Sequence, residues 1–217
     1  MMGATMTGFG IDVAGGPAGA FVAVALGTEF GKMVSKETKV DILVTPAVTL
    51  IMGGIGAKLI GPAIGWCMLK LGDLIMTATE WQPFLFGIVI SVVVGLALTA
   101  PISSAALCIM LDLSGLAAGA ATVGCCAQMV GFAVASYKEN GVGGLVAQGL
   151  GTSMLQISNI IKNPWILLPA TLAGAIVGPI STCLLKMTNI PVGAGMGTSG
   201  LVGQIGTFTD MGFTLET

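Results

Sequence analysis

The residues best suited to chemistry are concentrated in one stretch, 149–169, which reads GLGTSMLQISNIIKNPWILLP. Its first half carries Thr152, Ser153, Gln156, Ser158, Asn159 and Asn163 among Leu155, Ile157, Ile160 and Ile161, and Lys162 is its sole charge. Neutral amides and hydroxyls both donate and accept hydrogen bonds. A few such groups in apolar surroundings suit recognition of a small, uncharged, hydroxyl-rich solute. A second polar group, Thr99, Ser103 and Ser104, brackets Pro101. The candidate substrate-binding residues are therefore Thr152, Ser153, Gln156, Asn159 and Asn163, with Ser103 and Ser104 added from the second group. A polar loop at a bilayer surface is the alternative reading of the main stretch.

Catalytic chemistry has little to work with. There is no His, so the commonest general base and a common metal ligand are missing. Asp12, Asp41, Asp73 and Asp112 are scattered along the chain, and no residue forms a nucleophile–base pair or a metal cluster. The five cysteines (Cys67, Cys108, Cys125, Cys126 and Cys183) show no CxxC spacing and lie in or beside apolar runs. Such cysteines pack as small hydrophobes. The glycine-rich run 193–197 is neither a dinucleotide fingerprint nor a P-loop, which would need its GK[ST] end. No catalytic residue, metal or cofactor is expected.

The elements that must position these groups follow from composition. Only 8% of the 217 residues are charged, 54% are hydrophobic, and the mean hydropathy is +0.98. A soluble domain carries about 25% charged residues, so this chain cannot cover a water-facing surface. It reads as an all-α, polytopic transmembrane helical bundle, a single membrane domain over 1–217, in contact with the lipid bilayer. All eight basic residues are Lys and they form no stripe, which excludes nucleic acid as a partner. The 34 glycines suit close helix packing and the broken helices of transporters.

Taken in order, residues 13–26 form a short apolar run. Residues 29–41, with Glu29, Lys32, Lys36, Glu37, Lys39 and Asp41, must be aqueous or interfacial. Residues 42–60 are a span, and 61–81 an interfacial helix with a connecting loop. Residues 83–100 are a second span, broken at Pro101, where the missing N–H interrupts the helical ladder. Residues 113–135 are a third span, lined with small residues. Residues 142–161 are too polar and glycine-rich to face lipid, and 164–185 form the last span. In lipid, irregular backbone is tolerated only where protein buries it or it lines a cavity. The stretch before Pro164 is accordingly expected to be a re-entrant hairpin lining a solute path, and the tail 190–212 a compact loop packed against the spans.

The runs LTAPISSAA (98–106), GLAAGAATVGCCAQMVGFAV (115–134), KENGVGGLVAQGLGTSMLQISNIIKNP (138–164) and GAGMGTSGLVGQ (193–204) resemble the membrane IIC component (EIIC) of the sugar phosphotransferase system. The likeness is to the type-2, toxin-regulator branch. It implies a dimeric sugar-translocating component of a PEP-dependent permease in the bacterial cytoplasmic membrane. It also implies IIB and IIA partners that phosphorylate the sugar, and further spans upstream. Related IIC families hold the sugar with a Glu ahead of an Asn-Pro, and they use a His. Here the Asn-Pro is Asn163-Pro164, the Glu position falls near Thr152, and no carboxylate lies between Asn140 and Met187. Two alternative functions remain: a membrane-embedded solute-sensing regulator, and a carrier or channel outside the phosphotransferase system.

Overall fold

Glycine decides how the helices meet. The computed structural model describes residues 16–37, 40–100 and 102–213. Asp12, Lys39 and Pro101 lie outside the described residues. Ten α-helices occur among the described residues: α1 (Gly16–Val34), α2 (Asp41–Trp81), α3 (Pro83–Thr99), α4 (Ser104–Met110), α5 (Gly115–Ala135), α6 (Tyr137–Val146), α7 (Ile157–Lys162), α8 (Leu167–Pro179), α9 (Pro191–Ala194) and α10 (Val202–Met211). There is no strand among them, and the fold is the expected all-α membrane bundle. Asp41–Trp81, Gly115–Ala135 and Pro164–Leu184 are long and apolar enough to cross a membrane. The chain divides into two compact units, ending and beginning at Leu71 and Gly72.

In the first unit, α1 packs against the N-terminal part of α2. Gly19, Ala23, Gly27 and Gly31 recur every fourth residue, as do Thr45, Thr49, Gly53, Ala57 and Gly61 on the other helix. A fourfold repeat keeps small residues on one helical face, and the two faces lie together. A methyl on Gly27 would come within 2.6 Å of the Thr49 carbonyl oxygen, and one on Gly19 within 3.3 Å of the Gly61 Cα. Ala23 and Ala57 are buried between them. The charged connection behaves as its composition demands. Lys32 pairs with Glu29 at 2.8 Å on an exposed surface. The Asp41 carboxylate accepts from Thr45 Oγ1 (2.6 Å) and Lys36 N (3.0 Å), closing the turn into α2. The loop expected within 61–81 is absent: α2 runs unbroken through Pro62 to Trp81. Pro62 removes a single ladder bond, and Lys70, Asp73 and Glu80, whose charges would suit a loop, are carried on the exposed surface of the helix.

The second unit is built on α3, α5 and α8. Their backbones touch through small residues. A methyl on Gly124 would overlap the Ser91 carbonyl, and one on Gly178 would overlap the Gly87 carbonyl. Ser91 Oγ donates to the Gly174 carbonyl oxygen (2.5 Å), tying α3 to α8, and Thr182 Oγ1, from the π turn that follows α8, donates to the Pro83 carbonyl oxygen (2.7 Å). Gln128, fully buried in α5, donates from Nε2 to Thr171 Oγ1 (2.9 Å). Ile90, Val94, Leu98, Cys108, Leu113, Cys125 and Met129 fill the core around the small residues. Cys108 and Cys125 are thus packing residues, as expected, whereas Cys67 and Cys183 are exposed.

The break expected at Pro101 is present in its neighbours. Ala100 is extended (φ −70°, ψ 160°) and α4 starts only at Ser104. The residue before a proline is held to that region by the ring. The tail is packed against the spans, as the sequence suggests, but as the helices α9 and α10 and not as the expected loop. Fully buried Asn189 donates from Nδ2 to Thr122 Oγ1 (2.6 Å) and the Gly203 carbonyl oxygen (3.0 Å), while its Oδ1 accepts from Ile190 N (2.7 Å). Gly193 and Gly206 leave room for that side chain.

Two outcomes follow for thermal melts of detergent-purified protein. Gly124→Ala forces a Cβ into the Ser91 carbonyl and should cost about 1–3 kcal/mol, lowering the melting temperature by roughly 3–10 °C. Gly143→Ala, with open space around the new methyl, should leave it unchanged or slightly raised. Asn189→Ala orphans the Gly203 carbonyl and the Ile190 N–H, at about 1–3 kcal/mol for each buried group. It should make the segment after residue 190 cleavable by protease while α3, α5 and α8 remain resistant.

Candidate functional site

Between α5 and α8 the chain cannot settle into one helix, and the site is made from that irregularity. Gly141, with φ +59°, breaks α6 in its middle, a conformation that a side chain would resist. After α6 the backbone widens to a π turn over Ala147–Gly151 and becomes extended at Thr152. It then tightens to a 3₁₀ turn over Ser153–Gln156 before α7. Asn163 is extended, and Pro164–Ile166 form a further 3₁₀ turn leading into α8. The predicted irregular segment is therefore present, and side-chain caps stabilise its two 3₁₀ turns. Thr152 Oγ1 accepts from Met154 N (3.2 Å), and Asn163 Oδ1 accepts from Trp165 N (3.3 Å). Thr198 Oγ1, from the docked tail, donates to the Gly149 carbonyl oxygen.

These breaks open a cavity of about 370 Å³. The end of α5 supplies Phe132, Ala135 and Ser136, and the first turn of α6 supplies Glu139 and Asn140. The broken segment supplies Gln156, Asn159 and Ile166. The Ser136 carbonyl accepts from both Glu139 N (3.2 Å) and Asn140 N (3.0 Å), which fixes the α5–α6 corner. Asn159 Nδ2 donates to Gln156 Oε1 at 2.8 Å. That pairing leaves Gln156 Nε2 as a donor and Asn159 Oδ1 as an acceptor for a guest. Glu139 adds an acceptor-only carboxylate, and the lining holds no basic side chain among the described residues. An anion would meet uncompensated repulsion here, while a neutral polyol would find donors and acceptors side by side.

Of the sequence candidates, Gln156 and Asn159 line this cavity. Ser153 is fully buried beside it in chain order, and its hydroxyl pairs with Thr99 Oγ1 at 2.9 Å, joining the broken segment to the end of α3. Thr152 and Asn163 act as caps. Ser103 caps α4 by accepting from Ala106 N (3.2 Å), and buried Ser104 donates to the Gly195 carbonyl oxygen (2.6 Å). Ser103 and Ser104 are thus placed away from Gln156 and Asn159, with backbone partners of their own. Trp165 is exposed beside an apolar groove with Leu96 and Leu168.

Sequence reasoning missed Glu139, Asn140 and Ser136. Glu139 lies one residue outside the carboxylate-free window that begins at Asn140. The signal was the run Ser136, Tyr137, Lys138, Glu139 and Asn140 directly after the end of a span, where the chain turns back.

A match to a known family runs over residues 1–217, the family being described as "Phosphotransferase system, EIIC". The comparisons yield no similar protein of curated function and no similar solved structure. With apolar helices of spanning length and a polar cavity at a broken helix, the chain belongs to the phosphotransferase system EIIC family and is a multi-pass membrane component of a sugar permease that works with IIA and IIB partners.

Proposed function

We propose that the cavity bounded by Ser136, Glu139, Asn140, Gln156 and Asn159 is the sugar site, and that it holds an uncharged hexose or polyol for transfer to IIB. The carrying observation is the mix of free groups around about 370 Å³: an amide donor, an amide acceptor, a carboxylate and a hydroxyl, with no cation. Hydroxyl groups of a neutral sugar can satisfy all of these at once, and the carboxylate forms the stronger, charge-assisted bonds. Glu139 supplies the acidic group that related IIC families place on the segment before Asn-Pro, from a different element. Phosphoryl chemistry stays with IIB, since this chain contributes no His.

In this reading residues 147–166 re-enter the bilayer, and the chain operates as a homodimer in the bacterial cytoplasmic membrane. Family membership supports both statements, and the broken backbone supports the first. The π turn, extended Thr152 and 3₁₀ turn need polar company at membrane depth, and a wet cavity provides it.

A binding screen of the purified full chain against radiolabelled aldohexoses and hexitols tests the site. One or more should bind. Glu139→Gln should weaken binding at least tenfold, hydrogen bonds to a charged group being worth about 1.5–3 kcal/mol. Asn159→Leu, which leaves a buried sugar hydroxyl without its neutral acceptor at about 1–3 kcal/mol, should weaken it about five- to a hundredfold. Melting temperatures should shift little, since both side chains are exposed on the cavity wall. Unchanged affinity in both variants would rule the cavity out as the sugar site.

A further inference from the structure

Gln148 is buried, at 3% exposure, on the π turn just ahead of the cavity segment. Its Nε2 donates to Ser136 Oγ at 2.8 Å, across twelve residues of chain. Its Oε1 has no hydrogen-bond partner. Burying an amide with its oxygen unpaired is unfavourable, so what Gln148 contributes is the bond it donates. That bond falls on a hydroxyl that lines the polar cavity.

The chemistry of a hydroxyl makes the contact directional. Ser136 Oγ has one hydrogen to give and two lone pairs to receive. With one lone pair held by Gln148, the hydrogen is turned away from it. Its protein acceptor is the Ala133 carbonyl oxygen one turn back, at 3.5 Å, the outer limit for such a bond. A guest oxygen at an ordinary distance of about 2.8 Å would be the better acceptor. Glu139, anchored through its N–H on the Ser136 carbonyl, offers the complementary acceptor one turn further on.

We infer that Gln148 and Ser136 form a relay in which Gln148, a positioning residue, orients the Ser136 hydroxyl as a donor to one particular oxygen of the sugar, making this pair a specificity determinant of the site. The relay rests on the assignment of the cavity as the sugar site. It adds a residue that does not itself line the cavity and a selectivity for one hydroxyl position.

The test uses the purified full chain and whichever member of the hexose and hexitol panel binds it, together with the monodeoxy derivatives of that sugar. Ser136→Ala should weaken the parent sugar about three- to tenfold, the range of one neutral hydrogen bond. It should leave unchanged the affinity of the one deoxy derivative that lacks the matching oxygen. Gln148→Met, similar in length but without the amide, should reproduce that pattern on the same derivative. The double variant should lose no more than Ser136→Ala alone, because the two residues act through one bond. A merely structural role for Gln148 would instead weaken every derivative alike and add to the Ser136 loss, and that result would overturn the relay. If Asn159→Leu abolishes binding while both relay variants keep wild-type affinities and ranking, the sugar site stands and the relay falls. If no hexose or hexitol binds the wild-type chain, both fall together.

Discussion

An interruption of a helix within a bilayer has to find its hydrogen-bond partners in the protein or in a cavity, and side chains of the second unit meet that demand. A lipid-embedded chain has no solvent to satisfy an orphan N–H or carbonyl. Beside Ala100 and over 147–166, side chains substitute for the missing ladder. Ser103 and Thr152 accept from the N–H groups that begin new turns. Thr198 donates to the Gly149 carbonyl left over where the π turn ends. The Ser153–Thr99 pair joins the two broken places directly. Much of the hydroxyl and amide content of the polar stretch is engaged in this repair, and only the remainder is available to a guest.

The same constraint explains the density of glycine. Hydroxyl bridges such as Ser91 to the Gly174 carbonyl and Thr182 to the Pro83 carbonyl need helix backbones in near contact. Side chains larger than hydrogen at Gly87, Gly124 or Gly178 would hold them apart. Between membrane helices the hydrophobic effect supplies little attraction, and dispersion at close range with interhelical hydrogen bonds takes its place. The α1–α2 pair of the first unit uses the same device, with a repeat of small residues on each helix. Tight packing of α3, α5 and α8 then gives a rigid frame on which an irregular segment can be held in one conformation.

Function grows out of what the repair leaves unspent. Gln156 and Asn159 satisfy each other once and keep one group each for the cavity. Glu139 and Asn140 are brought to the same cavity by the corner at Ser136. A family whose task is to carry a neutral sugar through lipid needs such a place, where hydroxyls can exchange water for fixed partners without an ion being buried.

The sequence by itself determined the solvent, the class of fold and the position of the irregular segment. A chain with 8% charged residues has to live in lipid, apolar runs of fixed length have to be helices there, and prolines and clustered polar residues mark where helices cannot continue. These are local or compositional properties, so Pro101, Asn163-Pro164 and the glycine-rich tail were legible directly. The continuous α2 was not, because the charges of Lys70, Asp73 and Glu80 suit a connecting loop as well as a helix that keeps them exposed. Only the tertiary structure decided which polar residues line the cavity. Ser104 and Asn159 are equally polar on paper, yet one is buried against the Gly195 carbonyl and the other lines a cavity. Glu139 lines the same cavity because the corner at Ser136 brings the first turn of α6 to it. Hydrogen-bond partners far apart in sequence allot each polar group either to the scaffold or to the site, and no spacing rule encodes that choice.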